Sequence, residues 1–166
     1  MSNQQHRAQS PYVVVGVDES QLSRAGFRWA YEYARVRGLS VHAVHAWTYP
    51  TAASLTGEFL LPNIDMGADT FALLRQITVD ELGQEALSRV ELEAPLGVPG
   101  PVLVERSVGA ELLVVGASGA NPMTRLLIGS TSAYVAQHAG CPVVIARSRV
   151  PAPTASPEPV ANAIHG

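Results

Sequence analysis

The residues best suited to chemistry lie in one run, Gly116-Ala-Ser-Gly-Ala-Asn-Pro-Met-Thr-Arg-Leu-Leu-Ile-Gly-Ser-Thr-Ser132. Gly116, Gly119 and Gly129 permit close backbone approach or a positive φ. Gly129, Ser130, Thr131 and Ser132 bring three hydroxyls to the unpaired N–H groups of a helix start, an arrangement suited to an anion and above all to a phosphate. All 11 basic residues of the chain are Arg. Without Lys there is no P-loop lysine, no Schiff base and no lysine general base. A phosphate must therefore be held by backbone N–H groups, hydroxyls, a metal or Arg. Arg125 lies inside the run, where it either reaches a phosphate or serves as a solubilising charge.

Other reactive-looking residues yield less. Ser118 follows a strand as a hydrolase nucleophile would, but the only acid after it is Glu158, and Asn121-Pro122 interrupts the helix such an elbow needs. No catalytic residue is assigned. His42 and His45, three apart on a strand, point to opposite faces and cannot share one ion, so they read as hydrogen-bonded core or rim histidines and no metal site is assigned. Asp18 reads equally as a turn or capping carboxylate and as a ligand contact. Cys141, before Pro142, reads as a small core residue; a lone Cys cannot form an internal disulfide, and the expected compartment is the cytoplasm.

The elements that must position these residues alternate. Tyr12–Val17 and Val41–Trp47 are apolar, β-branched runs of the kind covered on both faces of a sheet, and Leu112–Gly116 and Val143–Arg147 follow the same pattern. Ser20 is a plausible N-cap for a helix over about 21–37, with Leu22, Ala25, Trp29 and Tyr33 on its apolar face and Gly38 as its stop. Ala68 to Glu93 reads as one long amphipathic helix with Gly83 inside it, Met123–Ile128 as a short helix, and Ser130–Ala139 as a capped one. Strands alternating with helices predict an α/β parallel sheet, whose ligands bind beyond the carboxyl ends of the strands.

A length of 166 residues, 47% of them hydrophobic and 15% charged, fits one compact domain. The net charge of −3 supplies no broad basic surface and argues against nucleic acid or anionic membrane as a partner. Residues 1–10 read as a flexible polar arm without the apolar core of a signal peptide, residues 11–147 as the domain, and 148–166 as a disordered Pro/Ala-rich tail. No apolar run reaches the length of a membrane span.

Four features then resemble one family in order along residues 11–147: VVVGVDES, VHAVHAW, the spacing Gly-x2-Gly-x9-Gly-Ser met by Gly116, Gly119, Gly129 and Ser130, and GCPVVIAR. Together they resemble a universal stress protein (UspA-like) domain of the ATP-binding type. The resemblance implies a Rossmann-like open sheet in strand order 3-2-1-4-5. It also implies a homodimer through the last strand (Val143–Arg147) and an adenine nucleotide as ligand: ATP, or else AMP or ADP, with Mg2+ as an optional companion. By position, Val17 and Asp18 would contact ribose and base, and Ala46 would lie near adenine. Val115, Gly116 and Gly119 would line the ribose–phosphate path, and Gly129, Ser130, Thr131 and Ser132 would hold phosphates. The implied role is a stress-response regulator with at most slow ATP hydrolysis, since no arranged base is visible.

One segment conflicts with that pattern. Val102–Val108 reads as a strand, yet only Gly109 and Ala110 separate it from the strand at 111–116. In the family order these strands lie about 14 Å apart across the sheet, whereas two residues span about 7 Å. The crossover helix between strands 3 and 4 therefore looks missing, which would lower stability and increase dependence on a partner. The alternative function that follows is a nucleotide-free dimerisation module whose site is impaired by that loss.

Overall fold

The computed structural model describes residues 11–49, 65–117 and 128–147. The expected arm over 1–10, the expected tail over 148–166, Met123–Leu127 of the expected short helix, and Ser118, Gly119 and Arg125 lie outside these residues. Five strands are described: β1 (Tyr12–Gly16), β2 (Ser40–Val44), β3 (Val90–Glu93), β4 (Leu112–Gly116) and β5 (Val143–Ala146). The helices are α1 (Gln21–Arg37), α2 (Met66–Leu82), α3 (Pro99–Arg106) and α4 (Ser130–His138), with a 3-10 turn over Gln84–Ser88. All strands pair in parallel in the order β3-β2-β1-β4-β5, the Rossmann-like α/β sheet expected from the sequence.

The period-2 pleat of β1 sends its side chains to two separate cores. Val13 and Val15 pack with Phe27 and Ala30 of α1 and with Leu74 and Ile77 of α2. Tyr12 and Val14 pack on the opposite face with Leu103 of α3 and Val135 of α4. Each large side chain fully withdrawn from water contributes about 1.5–3 kcal/mol, so both faces of the central strand are strongly stabilising. In α1 the buried stripe is Ser23, Gly26, Phe27, Ala30 and Ala34. That face is rotated from the expected Leu22, Ala25, Trp29 and Tyr33; Trp29 is 44% exposed and stacks on Tyr33, which also carries Arg37 over its ring. Two stripes of helical spacing run along α1, and the one with smaller residues fits closer to the sheet. Ser20 caps α1 by accepting from the Ser23 N–H at 3.2 Å, and Gly38, at φ 68°, ends it.

The main correction concerns residues 83–108. The expected helix over Ala68–Glu93 stops at Leu82, because Gly83 takes φ 89°, and the chain then turns through Gln84–Ser88 into β3. Val102–Val108 is not a strand: Pro99–Arg106 is a helix, and the crossover that looked missing is present. Its β-branched residues imitated a strand, but burial recurs at Gly100, Leu103 and Ser107, the spacing of a helix. Pro99 and Pro101 occupy the first turn, where a missing N–H leaves no broken bond. The connection from β3 to β4 runs over residues 94–111, ample for a right-handed crossover. With the helix in place, the expected loss of stability and the impaired-site alternative both lose their premise.

Candidate functional site

A cleft of about 210 Å3 opens at the carboxyl ends of β1, β2 and β4, bordered by Pro99 and Leu103 of α3 and by the first turn of α4. Its polar floor is the β1–α1 turn. The Ser23 hydroxyl donates to the Gly16 carbonyl at 3.2 Å and accepts from the Asp18 N–H at 2.7 Å. Asp18 Oδ1 accepts from the Ser20 N–H at 2.8 Å, so this carboxylate closes a turn and still lines the cleft. The Val17 N–H donates to the Val44 carbonyl at 2.9 Å and locks the ends of β1 and β2 together.

The other wall begins at β4. A Cβ on Gly116 would lie 2.7 Å from the Ser23 backbone nitrogen, so this glycine is required for the approach of β4 to the start of α1. Gly129 takes φ −63° and ψ 161°, ordinary extended backbone, so positive φ does not explain it. The Gly129 N–H donates to the Ala117 carbonyl at 2.6 Å and anchors the chain at the entry to α4. No side chain caps α4, which leaves the N–H groups of its first turn without intrahelical partners. The Ser132 hydroxyl is committed to the Gly116 carbonyl, whereas those of Ser130 and Thr131 make no hydrogen bond among the described residues. The helix dipole adds a positive potential at the same place.

Of the residues singled out from the sequence, Val17, Asp18, Ala46, Val115, Gly116, Gly129, Ser130, Thr131 and Ser132 line this one cleft. Gly119 lies outside the described residues. The cleft also takes in Ser20, Ser23, His45, Pro99 and Leu103. Pro99 and Leu103 were hidden by the misread segment. His45, directly before Ala46 at the end of a strand, could have been found from its position alone.

His42 and His45 have different surroundings. His42 stacks on Tyr12 with ring centroids 4.4 Å apart and meets Glu91 at 3.1 Å, whereas His45 lines the cleft. Burial pushes the His45 imidazole below its ordinary pKa, against the opposing pull of Asp18 and Glu19. Its Nδ1 is buried and has no hydrogen-bond partner among the described residues. Cys141 is half-buried against the core that contains Leu103 and Val135. No helix among the described residues is long and apolar enough to cross a membrane.

Comparison with known proteins agrees with this architecture. The model of the Universal stress protein family matches residues 12–147. A universal stress protein of Mycobacterium bovis is 32% identical over 146 residues, covering 82% of this chain and 48% of that protein. The chain thus spans about half the length of the curated relatives it matches. Universal stress protein UspA from Lactobacillus plantarum superimposes with a TM-score of 0.61 at 23% identity, over 84% of this chain and 99% of that one. A universal stress protein from Archaeoglobus fulgidus, solved in complex with dAMP, superimposes with a TM-score of 0.52 at 25% identity, over 83% and 98%.

Proposed function

The chain belongs to the universal stress protein family, and from that premise we propose that it binds an adenine nucleotide in the cleft and serves as a nucleotide-responsive regulator of the stress response. The observation that carries this reading is the uncapped start of α4, where free N–H groups and the Ser130 and Thr131 hydroxyls meet a cleft long enough to run from β4 to β2. The dAMP complex of the Archaeoglobus fulgidus relative supports the adenine assignment. ATP is the preferred ligand, ahead of ADP and AMP, because a longer phosphate chain engages more of the donors at the helix start. Gly119, next to this wall in sequence, belongs to the proposed phosphate path.

Mg2+ would ride on the phosphates, with Asp18 the one carboxylate that lines the cleft among the described residues. Among the described residues Asp18 and His45 are the only titratable side chains lining the cleft, and they form no arranged base for water, so hydrolysis of ATP is at most slow. The working compartment is the cytoplasm. The working form is a homodimer through Val143–Arg147, because β5 is an edge strand whose apolar residues are only half-buried.

Calorimetric titration of the purified protein with ATP and AMP tests the assignment. The double variant Gly129→Ala/Ser130→Ala is expected to abolish binding, and unchanged affinity would sink the site. Mass spectrometry of nucleotide released from gently isolated protein, with the oligomer mass from the same sample, checks ligand and dimer together.

A further inference from the structure

The wall of the cleft formed by β2 holds a polar group that the phosphate argument leaves unused. The Ser23 and Ser132 hydroxyls and Asp18 Oδ1 are committed to backbone partners, and Ser20 Oγ caps α1. The His45 ring makes no hydrogen bond among the described residues. Its two nitrogens differ. Nδ1 is buried and without a partner among the described residues, whereas Nε2 is not among the buried unpartnered atoms and makes no hydrogen bond among the described residues, so it is the nitrogen left to serve the cleft that His45 lines.

A neutral imidazole must place one N–H and one lone pair. An orphaned N–H is the costlier of the two to bury, so the proton belongs on Nε2 and the lone pair on Nδ1. Protonating both nitrogens would force a second, unpaired N–H into the buried position. The charged groups around the ring are Asp18 and Glu19 on the β1–α1 turn; from β3, Glu93 supplies its backbone carbonyl to the His45 N–H while its carboxylate is held by Arg106. Pro99 and Leu103, which border the cleft from α3, carry no titratable group.

The strand order fixes which part of a nucleotide this donor meets. The helix start that suits phosphate follows β4, and β2 lies two strands away, about 10 Å across the sheet. A nucleotide with its phosphates on α4 therefore has its base over the end of β2. Adenine offers its ring nitrogens there as acceptors. We propose that His45 reads the purine, as a neutral Nε2–H donor to a ring nitrogen of the bound base, with its buried Nδ1 fixing that tautomer. The inference rests on the nucleotide reading above and deepens it.

Two measurements test it. The first needs no nucleotide: long-range proton–nitrogen NMR of the free protein is expected to show the Nε2–H tautomer of His45, persisting as the pH falls below about 6.5, where an ordinary imidazole titrates. An Nδ1–H tautomer, or an ordinary titration, overturns the proposal whether or not nucleotide binds. The second is a calorimetric series with AMP and its 1-deaza, 3-deaza and 7-deaza analogues on the wild type, His45→Ala and His45→Gln. One analogue is expected to bind the wild type about tenfold more weakly than AMP, with that penalty vanishing in His45→Ala and restored in His45→Gln, whose amide also donates. The wild-type affinity for AMP should stay level from pH 8 to pH 6. If all three penalties persist in His45→Ala, His45 does not read the base. A wild type that binds no AMP, ADP or ATP removes the nucleotide reading and the base contact with it, leaving the NMR result to judge the tautomer.

Discussion

Two neighbouring helices, α3 and α4, cover the same face of the sheet, and both begin at the cleft. Their first turns are opposites. α3 opens with Pro99-Gly100-Pro101, so two of its first three residues have no N–H to offer. α4 opens with Ser130-Thr131-Ser132 behind an uncapped Gly129 and offers every one. The same backbone geometry thus gives an apolar wall on one side and a row of free donors on the other. A helix start is a binding site only when its first residues leave donors free.

The largest effect is expected where the helices touch. A Cβ on Gly100 would meet the Tyr134 ring at 2.8 Å, so Gly100→Leu should cost about 3 kcal/mol of unfolding free energy by overpacking. Urea denaturation checks this, and adding Tyr134→Ala should recover part of the loss. If the single variant is as stable as the wild type, the helices do not depend on that close fit.

Next in size is the conversion of one first turn into the other. Ser130→Pro keeps a residue tolerated at the first helical position while removing one N–H and one hydroxyl. Affinity for ATP should fall about tenfold, and the thermal midpoint should stay within about 2 °C of the wild type. Undiminished affinity would mean that the donors of α4 are not what holds the phosphates.

The smallest effect concerns the β2 side of the cleft. The folded protein holds the His45 pKa below that of the unfolded chain, so the unfolded state takes up the proton first. The contribution of His45 to stability is complete above about pH 6.5 and is lost as the pH falls from there towards the lower folded-state pKa. Chemical denaturation at pH 7.5 and 5.5 should show a smaller acid loss in His45→Gln than in the wild type. Equal losses would mean that burial of this ring is not linked to protonation.

The same two helices show what could be read from the sequence alone. The start of α4 was legible because its signals are local: a glycine, three hydroxyl residues and an apolar strand just before them. The β1–α1 turn with its Ser20 cap was equally clear, whereas the strand order followed only from the resemblance to the family. α3 was not legible, because Val98, Val102, Val104 and Val108 carry β propensity that outvotes a short helical stripe of Gly100, Leu103 and Ser107. The error also had a second source. Gly83 reads as a tolerated interruption of a long helix until its φ of 89° is known, and missing that break moved β3 by a whole element. Two residues are too few for such a crossover, but β3 ends at Glu93 and leaves residues 94–111 for it. His45 can be placed at the cleft from its position before Ala46, but nothing in a sequence says which nitrogen of its ring will be left unpaired.

The two edges of the sheet differ in a way that bears on symmetry. β3 presents Glu91 and Glu93, and Glu91 stands largely in solvent, whereas β5 presents only Val143, Val144, Ile145 and Ala146. Two copies joined β5 to β5 make an isologous contact that uses up the apolar edge of both and closes at two. A head-to-tail contact of β5 on β3 would leave one edge of each kind free at the ends and repeat without limit. Glu93 is held by Arg106, so the exposed Glu91 is the charge that works against strand addition on β3, and under the proposed β5 contact it disfavours the repeating mode and leaves the closed pair.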